Sequence, residues 1–162
     1  MNVLIVGANG QLGKAIYFYA PSKIGTENIN ITLVNRSQFD LCSPEKCKEL
    51  VLFYRPDFLI NAAAYTNVEL AEKEIDKATL VNTIAPKIFS EILSITGGKL
   101  IHFSTDYVFD GLKNEPYKPN DDKNPLNIYG RTKAEGEDQI IKILGSSNQY
   151  FIIRTSWLIG PY

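Results

Sequence analysis

The sequence predicts an α/β fold in which helices cover both faces of a doubly wound parallel sheet. Three observations lead to this prediction. Strand-like and helix-like segments alternate along the chain, as they do in βαβ units. The first strand leads directly into a glycine-rich turn that opens a helix. The 162 residues contain 44% hydrophobic and 22% charged side chains, a balance that suits one globular domain.

The first half of the chain supplies two strands and two helices. Residues 2–6 are predicted as the first strand, residues 11–20 as the first helix and residues 28–35 as the second strand. The next helix begins at the Ser-Pro-Glu run that starts with Ser43, because serine is a favoured N-cap and proline a favoured first helical residue. We expect that helix to end at Tyr54.

The second half continues the alternation. Helical periodicity runs from residue 69 to residue 95, with a break near Asp76, and a Gly-Gly pair ends it. The remaining predicted elements are strands at residues 57–61, 99–104 and 150–155, a helix at residues 129–143 and a loop at residues 110–126. The loop exceeds the roughly 12 to 15 residues at which structureless loops become uncommon, so we expect it to be functional.

Composition and charge argue against several classes of protein. The net charge of −1 and the scattered lysines give no general attraction to nucleic acid or to an acidic membrane. We find neither a secretory leader nor the ~18 consecutive apolar residues of a membrane span, and we expect a cytoplasmic protein. Cys42, Cys47 and the single histidine, His102, do not have the spacing of a metal site, so no metal is predicted.

Tyr129 and Lys133 carry the strongest chemical signal. A four-residue spacing places both side chains on one helical face, where the ammonium can favour the ionised phenol. We therefore expect the tyrosine pKa to fall from about 10 toward the working pH. Such a phenol can give a proton to a ketone oxygen as hydride reaches the carbon. Tyr19 and Lys23 have the same spacing, but Pro21 lies between them and would interrupt a helix.

A glycine-rich turn and a following arginine indicate a dinucleotide site. Gly7, Gly10 and Gly13, spaced GxxGxxG between a strand and a helix, allow a tight turn and close approach to a pyrophosphate. Arg36 follows the second strand, where NAD binders usually place an acid for the ribose hydroxyls. Arginine suits a 2′-phosphate, which predicts NADPH with NADH as the alternative, although a solvated loop arginine is nearly as good an interpretation.

Two further strand ends reach the same edge of the predicted sheet. The small side chains of Ala62, Ala63 and Ala64 would let the backbone approach a flat ligand, or would simply allow a helix to pack closely. Thr105, at the end of the fourth strand, offers a hydroxyl for a substrate carbonyl, but threonine is also a common turn residue. The Tyr-Lys pair is therefore the reason to interpret Thr105 as a catalytic residue.

Several blocks of the sequence carry a resemblance to a known family. They are the glycine turn, Asn-Ala-Ala-Ala-Tyr-Thr-Asn-Val-Glu at 61–69, Ser-Thr-Asp-Tyr-Val-Phe-Asp-Gly at 104–111, Pro-Leu-Asn-Ile-Tyr-Gly-Arg-Thr-Lys at 125–133, and Arg-Thr-Ser-Trp at 154–157. These blocks resemble dTDP-4-dehydrorhamnose reductases, members of the extended short-chain dehydrogenase/reductase superfamily. The glycine turn and the Tyr-Lys pair are shared across the superfamily, whereas the Thr-Asp-Tyr-Val-Phe and Arg-Thr-Ser-Trp blocks point to this family.

The resemblance implies a Rossmann-type NAD(P)-binding fold and a role for each matching residue. Thr105, Tyr129 and Lys133 would form the catalytic set, with Lys133 also holding the nicotinamide ribose. The implied cofactor contacts are Gly10, Gln11 and Leu12 at the pyrophosphate, Asp40 and Leu41 on the adenine side, and Ala64, Tyr65 and Thr66 at the inner end. Asp106, Tyr107 and Trp157 would meet the sugar nucleotide.

The family reduces the 4-keto group of dTDP-4-dehydro-L-rhamnose to give dTDP-L-rhamnose for cell-surface polysaccharide. Its C-terminal portion, which supplies much of the nucleotide-sugar pocket, does not follow Tyr162 in this sequence. We therefore expect residues 1–162 to be the NAD(P)-binding domain of a longer reductase, and the sequence leaves open whether this domain is active by itself. The alternative is a naturally short chain. A homodimer of the full-length protein is a further expectation that the sequence does not decide.

Two other functions fit the same residues. One is another NAD(P)-dependent nucleotide-sugar reductase or epimerase of the superfamily. The other is a non-catalytic regulatory subunit that keeps the dinucleotide fold, like the β subunit of methionine adenosyltransferase. The complete Thr-Tyr-Lys set argues against the regulatory interpretation.

Overall fold

The centre of the fold is a five-stranded parallel sheet in a computed structural model that describes residues 1–161. The strands within these residues are β1 (Asn2–Val6), β2 (Lys23–Ile24), β3 (Glu27–Asn28), β4 (Asn30–Val34), β5 (Phe58–Asn61), β6 (Lys99–Thr105) and β7 (Tyr150–Thr155). The sheet order is β4-β1-β5-β6-β7, while β2 and β3 form a separate antiparallel hairpin. Val3 aligns with Ile31 on one side and with Phe58 on the other.

Helices connect the strands and lie on both faces of the sheet. They are α1 (Gln11–Tyr19), α2 (Pro44–Tyr54), α3 (Val68–Ala71), α4 (Ile75–Thr79), α5 (Ala85–Thr96) and α6 (Ile128–Leu144). α2, α5 and α6 pack in sequence on one face. α1 runs from β1 to β4, against the direction of the other crossovers, so a right-handed connection places it on the opposite face. The predicted doubly wound α/β fold is confirmed.

The hydrophobic core lies between the sheet and the α2, α5 and α6 layer. Leu4, Leu59 and Leu100 from three neighbouring strands are buried against Phe89 and Leu93 of α5. Burying each such side chain contributes about 1.5 to 3 kcal/mol, so this layer stabilises the central strands of the sheet. None of the helices within residues 1–161 is long and apolar enough to cross a membrane.

The second predicted strand is shorter than expected. Residues 28–35 were predicted as one strand, but residue 28 belongs to the hairpin and β4 begins at Asn30. The hairpin turns at Gly25, whose φ of 58° is in the left-handed region that favours glycine. Tyr19 ends α1 and Lys23 lies in β2, so the structure confirms that this Tyr-Lys pair does not share a helix.

The helical region after β5 is divided differently from the prediction. α3 ends at Ala71 and α4 begins at Ile75, so the break precedes Asp76. A π-helical turn, Leu80–Ile84, then joins α4 to α5. Pro86 lies four residues after Asn82 and has no N–H for the Asn82 carbonyl, which gives a physical reason for the wider turn. The hydrophobic periodicity did not reveal this turn.

The long loop at residues 110–126 is held by its own polar side chains. Asp110 accepts hydrogen bonds from the Tyr117 hydroxyl at 2.5 Å, the Asn124 amide at 3.0 Å and the Leu112 N–H at 3.0 Å. These bonds, with that from Tyr117 the largest influence, lower the pKa of Asp110 to about 2. The segment has no helix or strand, as predicted, yet it is a structured loop.

Candidate active site

A cavity of about 930 Å³ opens at the carboxyl edge of the sheet. This volume is near the upper end of the ~300 to 1,000 Å³ range typical of ligand sites. The cavity lies beside β1, which has β4 on one side and β5 on the other, so the strand order reverses there. Open α/β sheets bind ligands at such a switch point. Every predicted site residue except Gly13 lines this cavity.

The glycine turn forms one end of the cavity. Gly7 has a φ of 85°, and a Cβ there would lie 2.7 Å from the Ala63 backbone nitrogen. A Cβ at Gly13 would lie 2.3 Å from the Gly7 carbonyl oxygen, which explains why Gly13 supports the turn without lining the cavity. Gly10 is the N-cap of α1, whose first N–H groups have no partner within the helix. The structure therefore presents a compact anion-binding turn.

Arg36 and Asp40 lie on the side of the cavity next to β4. The Asn35 side chain accepts a hydrogen bond from the Ser37 N–H at 3.0 Å and so shapes the turn that carries Arg36. Asp40 accepts a hydrogen bond from the Cys42 N–H at 3.0 Å, which is the main reason that the Asp40 pKa is lowered. Arg36 thus contributes a cation to the cavity wall, although it is exposed to solvent.

The catalytic candidates meet where α6 approaches β6. Asn127 caps α6 by accepting a hydrogen bond from the Gly130 N–H at 2.8 Å, which places Tyr129 in the first turn. A Cβ at Gly130 would lie 2.2 Å from the Tyr107 carbonyl oxygen, so glycine permits this close approach. The Tyr107 and Tyr129 rings meet edge to face at 5.5 Å. Thr105 ends β6 in the same cavity.

The electrostatics of Tyr129 differ from the expectation. Burial raises the pKa of Tyr129, the charges of Asp106 and Tyr107 act in the same direction, and a hydrogen bond with Thr105 opposes them only in part. Lys133 donates to the Phe103 carbonyl oxygen at 2.6 Å, so its amine is directed toward β6. The prediction that Lys133 lowers the Tyr129 pKa is therefore wrong for this structure. A phenol that keeps its proton is the form that a proton donor needs.

Lys133 is itself perturbed. Its side chain is almost completely buried, with 1% exposed. Burial lowers its pKa to about 8, against the smaller opposing influence of the Glu137 charge. Lys133 therefore changes its protonation state close to neutral pH, which an exposed lysine does not do.

The residues implied for the sugar nucleotide lie at the other side of the cavity. The Thr105 hydroxyl donates to Asp106 Oδ1 at 3.0 Å and accepts from the Tyr107 N–H at 3.2 Å. Trp157 follows β7, lines the cavity and is 84% exposed. The structure thus brings the predicted substrate residues to the same cavity, with Trp157 at its open rim.

Asn82 supports the site but was not among the predicted site residues. Asn82 lies in the π-helical turn, where its side chain accepts from the Tyr65 N–H at 2.9 Å and donates to the Tyr65 carbonyl and the Thr132 hydroxyl, each at 3.1 Å. The Thr83 hydroxyl also donates to the Thr132 carbonyl at 2.8 Å. Together these bonds connect the segment after β5 to α6. A polar Asn-Thr pair between apolar helical residues was the only available signal.

Replacing Asn82 with alanine is expected to lower the free energy of unfolding by about 3 kcal/mol. The change removes three hydrogen bonds at a site that is 1% exposed and leaves the Tyr65 N–H and the Thr132 hydroxyl without this partner. Urea unfolding measures the difference. Asn30→Ala, which removes one exposed side-chain contact, is the matched control. Equal losses in the two variants would contradict the role of Asn82.

A buried ion pair connects α6 to β7. Both carboxylate oxygens of Glu137 accept from Arg154, at 2.9 and 2.7 Å, and Lys123 lies 3.4 Å from the same carboxylate. Arg154 also donates to the Pro119 carbonyl at 3.0 Å, so the pair holds the long loop as well. Burial acts to raise the pKa of Glu137, but the hydrogen bonds from Arg154, with the charges of Arg154 and Lys123, outweigh it and the pKa is lowered.

Within the described part of the chain, no group of three or more His, Cys, Asp or Glu side chains is placed to hold a metal ion. The cavity presents a backbone turn, hydroxyls, the Arg36 guanidinium and the Lys133 amine. A glycine turn at a helix N-terminus and the switch point of a parallel sheet define the dinucleotide-binding class of α/β folds.

Comparison with known proteins identifies the family. The family model described as "RmlD substrate binding domain" matches residues 1–162, and the chain belongs to this family. The dTDP-4-dehydrorhamnose reductase of Aggregatibacter actinomycetemcomitans is 36% identical over 160 residues, which cover 99% of this chain and 52% of that protein. The resemblance to dTDP-4-dehydrorhamnose reductases is confirmed.

Solved structures agree. A dTDP-4-dehydrorhamnose reductase from Bacillus anthracis in complex with NADP has a TM-score of 0.87 and 38% identity, covering 99% of this chain and 55% of that one. A dTDP-4-dehydrorhamnose reductase from Clostridium acetobutylicum has a TM-score of 0.89 and 34% identity, covering 100% of this chain and 55% of that one. The chain thus spans about half the length of the relatives that it matches.

Proposed function

We propose that residues 1–162 form the NAD(P)-binding and catalytic domain of a reductase that converts dTDP-4-dehydro-L-rhamnose to dTDP-L-rhamnose with NADPH. The observation that carries the proposal is that one cavity is lined both by the glycine turn and by Thr105, Tyr129 and Lys133. Family membership supports the choice of nucleotide sugar.

The residues present fit NADPH. A Cβ at Gly7 or Gly13 would fill the turn on which a pyrophosphate is expected to rest, and the N-terminus of α1 favours negative charge there. Arg36 would hold the 2′-phosphate, and the NADP complex of the Bacillus anthracis reductase supports this cofactor. Lys133 and Tyr129 would hold the nicotinamide ribose. Bound NADPH supplies the hydride that reduces the ketone carbon.

The chain's own residues handle the proton. Tyr129, whose raised pKa keeps its phenol protonated, donates that proton to the ketone oxygen as the C=O bond becomes C–O–H. Thr105 would orient the ketone oxygen through its hydroxyl. Lys133, with a pKa of about 8, can exchange its proton near neutral pH and so suits a group that helps to restore the Tyr129 proton. Asp106, Tyr107 and Trp157 would contact the sugar nucleotide.

The proposed activity is tested by following NADPH oxidation by the full-length protein with dTDP-4-dehydro-L-rhamnose. We expect NADPH to be consumed in proportion to the dTDP-L-rhamnose formed. Rapid turnover of another 4-keto nucleotide sugar and not of this one would replace the proposed substrate. Cofactor that stays bound and is regenerated would favour an epimerase, and binding without turnover of any keto sugar would favour a regulatory subunit.

Replacing Arg36 with serine is expected to raise the KM for NADPH about 10- to 100-fold while the KM for NADH changes little. The variant loses a charge-assisted contact that only the 2′-phosphate can make, and such a contact contributes about 1.5 to 3 kcal/mol. Steady-state kinetics with each cofactor measure the ratio. Arg131→Ser, which removes an exposed arginine on α6, is the control. Equal changes in the KM for NADPH and for NADH would show that Arg36 does not bind the 2′-phosphate.

Location in the cytoplasm and a homodimer of the full-length protein stay predictions from the sequence. Size-exclusion chromatography with light scattering would measure the assembly.

A further inference from the structure

The buried ring of His102 lies directly behind the site. His102 is the one histidine of the sequence, and it is 0% exposed in the middle of β6. Its Nδ1 is 3.1 Å from the Asn61 side-chain nitrogen, and its Nε2 is 3.2 Å from the Lys133 amine. His102 therefore connects the end of β5 to a catalytic candidate without lining the cavity itself. The sequence had indicated only that this histidine does not belong to a metal site.

The hydrogen bonds determine where the ring carries its proton. Asn61 Oδ1 accepts from the Ala63 N–H at 3.3 Å, which directs the Asn61 NH₂ group toward His102 Nδ1. An NH₂ group only donates, so Nδ1 must accept and the proton of the neutral ring is on Nε2. That N–H faces the Lys133 amine, which can accept it only in its neutral form.

Burial is consistent with this arrangement. It lowers the pKa of His102 well below its ordinary value, and the Lys133 charge acts in the same direction. Burial also lowers the pKa of Lys133 to about 8, with Glu137 as the opposing charge. The Lys133 charge thus acts on His102, and the Glu137 charge acts on Lys133. Above about pH 8 most Lys133 amines are neutral, and a neutral ring beside a neutral amine satisfies the hydrogen bonds of both.

We propose that His102, oriented by Asn61, is a positioning residue that fixes the Lys133 amine against the Phe103 carbonyl and favours its neutral form through the Nε2 proton. The proposal rests on the proposed function, because it gives Lys133 its place in the reductase reaction. Asn61, His102 and Lys133 form what we call the amine clamp. Asn61 and His102 act through Lys133, because neither of them lines the cavity.

The protonation of the ring can be measured directly, because His102 is the one histidine of residues 1–162 and its signal is assigned by its loss in His102→Gln. Long-range ¹H–¹⁵N NMR on the full-length protein should show a neutral ring with its proton on Nε2, unchanged through the ordinary histidine range around pH 6.5. Asn61→Ala should weaken that preference. A ring that titrates near pH 6.5, or one protonated on Nδ1, would overturn the amine clamp.

Kinetics of two conservative variants supply the second test. The amide nitrogen of glutamine reaches about as far as His Nε2, whereas that of asparagine reaches only as far as Nδ1. His102→Gln should therefore keep the Lys133 contact and most of kcat. His102→Asn should lower kcat up to about 100-fold, as expected when a reacting group is misplaced, with little change in the KM for the sugar nucleotide.

A buried control separates positioning from folding. Ser90 is also 0% exposed, but its hydroxyl donates to the Pro86 carbonyl within α5. Ser90→Ala should alter stability without altering kcat per folded molecule. Equal kcat losses in His102→Gln and His102→Asn would overturn the proposal, as would losses that only follow the folded fraction. If the wild-type protein reduces no keto sugar, the proposed function fails, whereas the NMR result still decides the amine clamp.

Discussion

Replacing Tyr129 with phenylalanine is expected to lower the kcat of the full-length protein by about 100- to 10,000-fold, the usual contribution of a positioned general acid. The variant keeps the aromatic ring, and with it the edge-to-face contact with Tyr107 at 5.5 Å. It removes the hydroxyl that would give its proton to the ketone oxygen and that would make one of several contacts with the cofactor. We therefore expect the Kd for NADPH to change by no more than a few-fold.

Stopped-flow reduction of dTDP-4-dehydro-L-rhamnose and fluorescence titration with NADPH measure the two quantities separately. Tyr54→Phe makes the same chemical change at the exposed end of α2, away from the cavity, and should behave as wild type. A Tyr129→Phe variant with kcat within about twofold of wild type would remove Tyr129 from the mechanism. A large loss of NADPH binding with normal kcat would assign it to the cofactor alone.

Replacing Glu137 with glutamine is expected to lower the free energy of unfolding by about 3 to 5 kcal/mol. The carboxylate is 0% exposed and receives two hydrogen bonds from Arg154 and the charge of Lys123. Glutamine keeps the size of the side chain but leaves Arg154 and Lys123 without their buried counter-charge. Removing one partner of a buried ion pair is strongly destabilising, because the remaining charge is uncompensated. The loss is large beside the ~5 to 15 kcal/mol that stabilises most domains.

Urea unfolding at several pH values tests both the size and the origin of this effect. Because the pKa of Glu137 is lowered in the folded protein, its contribution is fully present above its ordinary pKa of 4.5. The contribution is lost as the pH falls through the folded value, so the wild-type and variant stabilities should converge in acid.

Glu135→Gln supplies the control, since Glu135 forms an exposed i,i+4 pair with Arg131 and should change stability by less than about 0.5 kcal/mol. A Glu137 variant no less stable than this control would show that the ion pair does not hold α6 to β7. A loss that does not depend on pH would show that packing, and not charge, accounts for the effect.

Local signals in the sequence were sufficient for most of the fold. The Ser-Pro-Glu start of α2 and the apolar run of β7 predicted both elements with the observed ends. The glycine spacing predicted the turn at Gly7, because positive φ and close backbone approach both require glycine. Such features depend on neighbouring residues, and the sequence shows them directly.

The supporting contacts of the site could not be predicted in the same way. Asn82 meets Thr132 across 50 positions of the chain, and His102 meets Lys133 across 31. Helical periodicity identifies a buried face but not the polar partner on another element. The four-residue spacing also placed Tyr129 and Lys133 on one face without showing that the lysine amine turns toward the Phe103 carbonyl. Burial of the phenol, together with that contact, explains why the expected fall in the Tyr129 pKa was wrong.

The most direct test of the account follows the hydride itself. The full-length protein would be given dTDP-4-dehydro-L-rhamnose and NADPH that carries deuterium at the transferable position of nicotinamide C4, and the sugar product would be analysed by mass spectrometry and NMR. We expect dTDP-L-rhamnose with one deuterium at C4 of the sugar, and no labelled product with Tyr129→Phe above the expected residual rate. Unlabelled product, or no reduction although NADPH binds, would contradict the assignment of this chain to a keto-sugar reductase.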